Sequence, residues 1–212
     1  MHAPDFGVSR EGVPLILFAA FATLVLALLD WDLPAGVLLI GTFFTLHFFR
    51  DPERVVPEGP GLAVAPADGK IIKIDRCPDP LTGEPRNRVC IFMNIFNVHV
   101  NRSPVRGHIE SISYHPGKFF NASLDKSSEQ NERNTISLRD EQGREVTMVQ
   151  ISGLVARRIV CWAEPDDRLE AGQRLGLIKF GSRVDLYLPN AYTLQLKEGT
   201  PVFAGQTVLA AT

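Results

Sequence analysis

Two apolar runs near the N-terminus constrain this chain more than any other feature. Pro14 to Leu29 carries no charge and is almost wholly apolar; after Asp30-Trp31-Asp32 the chain is apolar again from Leu33 to Phe49, with His47 near the end. Each run is 16–17 residues long. That is about 25 Å of helix at about 1.5 Å per residue, against a hydrocarbon core of about 30 Å. Two arrangements fit: a pair of short spanning helices joined by a tight Asp-Trp-Asp-Leu-Pro turn, or a re-entrant hairpin that dips in and returns. Both bring the chain back to the side it left, so residues 1–50 read as an N-terminal α-helical membrane hairpin. Arg10, Arg50 and Arg54 flank that side, while the tip carries only acids and a tryptophan. The positive-inside bias then puts the rest of the chain on the cytoplasmic side of the cell (inner) membrane. A cleaved signal peptide fits poorly, because a second apolar stretch follows the first.

From Asp51 the texture changes, and residues 51–212 read as one β-rich domain in which prolines and glycines punctuate short strands. Ala63-Val64-Ala65 ends at the turn Pro66-Ala67-Asp68-Gly69, and Lys70 to Ile74 follows as a strand. Arg88 to Ile95 reads as a buried strand and Gly107 to Tyr114 as an alternating one. Ile136–Leu138 and Glu145–Ile151 read as a hairpin around Glu141-Gln142-Gly143. Gly153–Cys161, Gln173–Phe180 and Val184–Leu188 add further strands. Ala171-Gly172-Gln173 recurs as Ala204-Gly205-Gln206, each leading into a strand. The pattern is mainly β, a hybrid barrel or sandwich. Tyr114 to Asn134 is long for a connection, and its Phe119 and Phe120 either meet lipid or fold back onto the barrel.

Composition narrows the function classes. A formal charge of -2, with as many basic as acidic residues from Asp51 onward, argues against a nucleic-acid partner. Any contact with anionic lipid must come from local placement of cations. Cys77, Cys90 and Cys161 are widely spaced, with no Cys/His spacing that would hold zinc, and they read as free thiols in a reducing compartment. No metal site is expected.

Three positions carry candidate chemistry. Gly181-Ser182 lies between two strand-like stretches. A serine there can attack the carbonyl of the preceding glycine, which has no side chain to block the approach and tolerates strained backbone angles. His99 follows a buried strand, and Asp68 lies in a tight turn. A serine needs a base, and a histidine oriented by a carboxylate supplies one. Taken singly, each of the three also reads as an ordinary turn or strand residue.

Together with their surroundings, these residues resemble the short, bacterial and archaeal type of phosphatidylserine decarboxylase over essentially the whole chain. The likeness rests on Phe48-Phe49-Arg50-Asp51-Pro52-Glu53-Arg54, Ala65-Pro66-Ala67-Asp68-Gly69 and Asn97-Val98-His99-Val100-Asn101-Arg102-Ser103-Pro104, followed by Asn131-Glu132-Arg133-Asn134 and Phe180-Gly181-Ser182-Arg183-Val184-Asp185, in that order. The resemblance implies self-cleavage. The Ser182 hydroxyl attacks the Gly181 carbonyl, the amide becomes an ester, and elimination leaves a β chain (1–181) and an α chain (182–212). Residue 182 then becomes a pyruvoyl cofactor that takes the substrate amine as a Schiff base. His99 and Asp68 are the implied acid/base partners, with His99 protonating the carbon from which carbon dioxide leaves. The implied partners are phosphatidylserine, the bilayer, the two chains of one precursor, and further copies in a homo-oligomer. Longer members carry Leu-Gly-Ser-Thr where this chain has Phe180-Gly181-Ser182-Arg183, and a second histidine where it has Arg102. Arg102 and Arg183 are therefore candidates for the substrate phosphate or carboxylate, suited by a planar fork of donors, or else for simple ion pairs. The rival reading is a membrane-tethered carrier or phosphotransfer barrel without self-cleavage, in which His99 accepts phosphoryl groups and Ser182 is inert.

Overall fold

A computed structural model describes residues 7–122, 130–153 and 158–212. The chain divides into two units, Met1–Glu53 and Arg54–Thr212.

The first unit is a helical pair, α1 (Val13–Leu28) and α2 (Asp32–Phe48). Pro14 sits in the first turn of α1, where no intrahelical bond needs its missing N–H. Asp30 takes φ 57 at the tip, and the Trp31 amide closes the turn on the Leu26 carbonyl at 3.0 Å. Thr23 and Thr42 bring their hydroxyls within 3.3 Å across the pair. At the open end a Cβ on Gly12 would fall 2.3 Å from the Phe49 ring, so only glycine fits there. Phe18, Phe21, Leu28, Leu33, Ile40 and Phe43 are all exposed. No helix among the described residues is long and apolar enough to cross a membrane.

The second unit is mainly β. It runs through β1 (Leu62–Val64), β2 (Gly69–Pro78), β3 (Pro85–Met93), β4 (Val100–Arg102), β5 (Gly107–His115), β6 (Arg133–Asp140) and β7 (Glu145–Ser152). Then follow β8 (Ile159–Cys161), β9 (Arg168–Leu169), β10 (Arg174–Ile178), β11 (Ser182–Leu188), β12 (Thr193–Leu194), β13 (Pro201–Val202) and β14 (Val208–Ala211). Eight of them form one sheet in the order β13-β2-β3-β11-β7-β6-β5-β9, which curls into a half-barrel. Two three-stranded sheets, β1-β14-β12 and β4-β10-β8, complete the unit. Register shifts between Ile71 and Lys73 and between Ile109 and Ser111 bend the large sheet.

Strand alternation decides the core. Val184, Leu186 and Leu188 of β11 pack with Val89, Ile91, Met148, Val146, Ile136 and Leu138 from the strands beside it. Arg183, Asp185 and Tyr187 point to the opposite face and are nonetheless buried. The repeated Ala-Gly-Gln turns prove to be packing partners. Gly172 and Gly205 have φ 73 and 72, and a Cβ on either would stand 3.3–3.4 Å from the Cα of the other. The long Tyr114–Asn134 connection is described only in part, because residues 123–129 lie outside the described residues, as do 154–157 within the expected Gly153–Cys161 strand.

Candidate active site

The site lies at one rim of the large sheet, where β3 and β7 end and β11 begins. Ser182 opens β11 and is paired on one side with Met93 and on the other with Ser152. It is fully buried. The two residues before it are both left-handed, Phe180 with φ 56 and Gly181 with φ 68. For a phenylalanine this region costs about 1–2 kcal/mol, so the strain falls one residue before the Gly181-Ser182 peptide bond. The Gly181 carbonyl seats directly on Gly153, where an added Cβ would stand 2.2 Å from its oxygen.

His99 is brought to Gly181. Its Nε2 lies 3.3 Å from the Gly181 amide nitrogen, and its Nδ1 lies 3.0 Å from the Asn97 carbonyl oxygen. A carbonyl only accepts, so Nδ1 carries the proton; Nε2 is then left with its lone pair, which accepts from the Gly181 N–H. The ring is fully buried. Ile178 ties its amide to the His99 carbonyl at 3.4 Å, so β10 and the strand-entry segment of β4 fix the ring's position.

Sequence reasoning missed the polar chain beneath Ser182. Asn134 Nδ2 donates to Gln150 Oε1 at 3.1 Å, and Gln150 Nε2 donates to Asn101 Oδ1 at 2.9 Å. Asn101 Nδ2 reaches Met93 Sδ at 3.7 Å, and the Ser182 hydroxyl points to the same sulfur at 3.9 Å. Sulfur is a weak acceptor, so the hydroxyl is lightly held. Asn131 forms a clamp: its amide nitrogen donates to the carbonyls of Phe120 and Ser152 at 2.8 and 2.7 Å, and its oxygen accepts from the Phe120 amide at 2.9 Å. Glu132 accepts from the Ser152 amide through its backbone carbonyl at 3.0 Å. Asparagines and a glutamine at alternate positions of apolar strands were the available signal, since a buried amide needs partners.

The other expected residues are placed elsewhere. The Asp68 carboxylate is held by Arg54 Nη2 at 2.8 Å and by the Ala204 amide at 2.7 Å. It precedes β2, where Lys70 faces Phe92 from one side while Arg183 faces it from the other. Asp68 thus stands two strand spacings, about 10 Å, from β11. Arg102 Nη1 donates to the Gly172 carbonyl at 2.9 Å, beneath the paired glycine turns. Arg183 faces away from Ser182 and grips Asp185 with two bonds of 2.5 and 2.8 Å. It also approaches Cys90 Sγ at 3.0 Å. Desolvation alone would lower the Arg183 pKa, but Asp185 outweighs it and raises the value. The structure therefore gathers Ser182, Gly181 and His99, and leaves Asp68, Arg102 and Arg183 outside that cluster.

A hydroxyl, the acyl carbon beside it and a neutral imidazole are the parts of an acyl transfer from nitrogen to oxygen. The family model described as Phosphatidylserine decarboxylase matches residues 41–210. The chain is 56% identical over 211 residues to the phosphatidylserine decarboxylase proenzyme of Oleidesulfovibrio alaskensis, covering 100% of this chain and 97% of that protein. It is 54% identical over 210 residues to the proteins of the same name from Nitratidesulfovibrio vulgaris and Solidesulfovibrio magneticus, covering 99% of this chain and 97% and 98% of theirs. The chain belongs to the phosphatidylserine decarboxylase family.

Proposed function

We propose that this protein is a proenzyme that cleaves itself between Gly181 and Ser182 and then converts phosphatidylserine to phosphatidylethanolamine. The observation that carries the reading is His99 Nε2 at 3.3 Å from the Gly181 amide nitrogen, one residue from a buried serine. Nε2 takes the Ser182 hydroxyl proton as the oxygen attacks the Gly181 carbonyl carbon. The same proton passes to the departing nitrogen, and the amide becomes an ester. Loss of the residue 182 α-proton expels the Gly181 carboxylate, and hydrolysis with release of ammonia leaves a pyruvoyl group at 182.

The residues present fit such a group. β11 is paired from Ser182 to Leu188 with β3 and from Ser182 to Tyr187 with β7, so residue 182 keeps its place once the chain is cut. Phe180 and Gly181 relax from their left-handed angles on the other side. A pyruvoyl carbonyl supplies an electron sink for the pair left behind by departing carbon dioxide. His99 serves at the same spot as the proton donor. For Asp68 we propose a positioning role, because it fixes the turn whose Pro66 carbonyl accepts the Arg102 amide at 2.9 Å, three residues beyond His99. For Arg102 and Arg183 the polar contacts described above support structural roles rather than binding of substrate phosphate.

In the same reading residues 1–50 are a membrane hairpin and 51–212 the catalytic domain, on the cytoplasmic face of the inner membrane. The apolar side chains exposed along both helices support insertion, and helices of this length favour a re-entrant hairpin. The paired Ala-Gly-Gln turns support a hybrid-barrel description of the catalytic domain. Assembly of further copies into a homo-oligomer belongs to the same proposal.

The deciding experiment is the intact mass of the purified protein in denaturant, followed by a decarboxylation assay on phosphatidylserine. Two masses meeting at the 181/182 bond, the smaller with a ketone in place of its amino terminus, are expected. A single 23.4 kDa species that never processes would return the carrier reading.

A further inference from the structure

Strand direction places most of the exposed apolar side chains of the β unit at one rim. Six large apolar residues of this unit are exposed among those described: Val55, Leu81, Ile95, Phe96, Tyr114 and Phe203. Four of them cluster by register at the end of the sheet that holds Ser182. Ile95 and Phe96 follow Met93, which pairs with Ser182. Tyr114 pairs with Asn134, which pairs with Gln150 near the end of β7. Phe203 follows Val202, which pairs with Gly69 at the start of β2. Leu81 lies in the turn between β2 and β3 at the opposite rim.

The Ile95-Phe96 turn is braced for exposure. Asn97 Oδ1 accepts from the Asn94 amide at 2.9 Å, Asn94 Oδ1 accepts from the Phe96 amide at 2.8 Å, and the Asn97 amide returns to the Asn94 carbonyl at 3.0 Å. The two apolar side chains therefore stand on a rigid loop between Met93 and His99, with Phe96 63% exposed. Cations accompany them. Lys118 and Arg158 are exposed on this rim, and the Lys179 amide bonds the Arg158 carbonyl at 3.2 Å beside Phe180. Aromatic side chains with lysine and arginine at their flanks suit the boundary of an anionic bilayer. A chain of net charge -2 achieves this only by local placement.

We infer that this rim is a membrane-contact face, with Phe96 and Phe203 entering the headgroup layer of an anionic bilayer, so that lipid reaches residue 182 without leaving the membrane. The inference deepens the proposed function and rests on it for the choice of lipid.

The test uses the full-length, processed protein on vesicles of phosphatidylcholine with phosphatidylglycerol, in which the acyl chains are brominated. Phe96→Trp and Leu81→Trp report from the two rims, each as the emission difference from wild type. Quenching of the residue 96 signal by at least twofold, with none at residue 81, is expected. Equal quenching at both positions, or none at residue 96, overturns the inference. A second arm compares rates on phosphatidylserine in vesicles and on a short-chain, monomeric phosphatidylserine. Phe96→Ser with Phe203→Ser should lose about tenfold on vesicles while still processing and still acting on the soluble substrate. Equal loss on both substrates also overturns it. If residue 96 is quenched but wild type decarboxylates neither substrate, the functional reading fails and the membrane face stands.

Discussion

At the scale of single residues, the site is a matter of where one proton and one strained residue sit. His99 has its Nδ1 on a backbone carbonyl and its Nε2 on the Gly181 amide, so one ring serves both reactions proposed for it. His99→Ala is expected to abolish processing and decarboxylation together. Normal processing by His99→Ala, read as two bands on a denaturing gel, would contradict a shared role. Ser182→Ala is expected to remain a single chain of 23.4 kDa with a melting transition close to the wild-type precursor. Phe180 offers a sharper test, because its φ of 56 is a position glycine occupies at no steric cost. Phe180→Gly, compared with Phe180→Ala to subtract the ring, should stabilise an uncleavable Ser182→Ala precursor by about 1 kcal/mol. It should also slow cleavage by roughly fivefold if that strain is released on the way to the ester. Equal cleavage rates for the glycine and alanine variants would show that the strain is not used.

At the scale of elements, β11 is two surfaces on one strand. Its core face carries Ser182 and aliphatic residues, and its other face carries the Arg183–Asp185 pair, both members fully buried. Breaking one partner strands a buried charge at a cost of about 3–5 kcal/mol. Asp185→Asn should therefore unfold at markedly lower denaturant than Arg183→Met with Asp185→Leu. Equal midpoints would mean the pair is solvated. The β6–β7 turn gives a pH-dependent case. Asp140 accepts from the amides of Gln142 and Arg144, from Arg144 Nε and from Tyr192 Oη, all within 2.7–2.9 Å. Burial pushes its pKa up, but the bonds from Arg144 and Tyr192 outweigh that and hold it below 3.8. A depressed carboxylate stabilises the fold above its unfolded pKa, and that stability is lost as pH falls through the folded value. Asp140→Asn should cost about 1–3 kcal/mol near neutral pH, and the gap from wild type should close below about pH 4 in acid titrations of the melting temperature. These elements also mark what could be read without a structure. The β5, β6–β7 and β11 segments follow from alternation, with ends that differ from expectation by a few residues. The Asn134–Gln150–Asn101 chain and the Gly153 seat do not, because they depend on which strands become neighbours. The resemblance implies Asp68 as an acid/base partner beside His99; the Asp68 carboxylate bonds Arg54, 14 positions earlier, and nothing in local spacing connects those two.

At the scale of the whole molecule, the order β3-β11-β7 decides what cleavage does. The cut proposed between Gly181 and Ser182 falls at the entrance to a central strand, so the fragment 182–212 would begin with β11 buried between two neighbours of the other fragment. It continues to β14, which pairs with β1 as Leu62 to Ala211 and Ala63 to Ala210, and it includes β13, which pairs with β2. The smaller chain is therefore laced through two sheets at three separate places. A cut in an exposed loop of an edge strand would leave a fragment free to exchange; a cut here leaves one that can depart only if the large sheet opens. The processed protein should accordingly migrate as one species under native conditions and give one cooperative unfolding transition. The two chains should separate only in denaturant. Loss of the 182–212 fragment during native gel filtration would contradict this. It would mean that the sheet opens after cleavage, and residue 182 could not then hold its place beside His99.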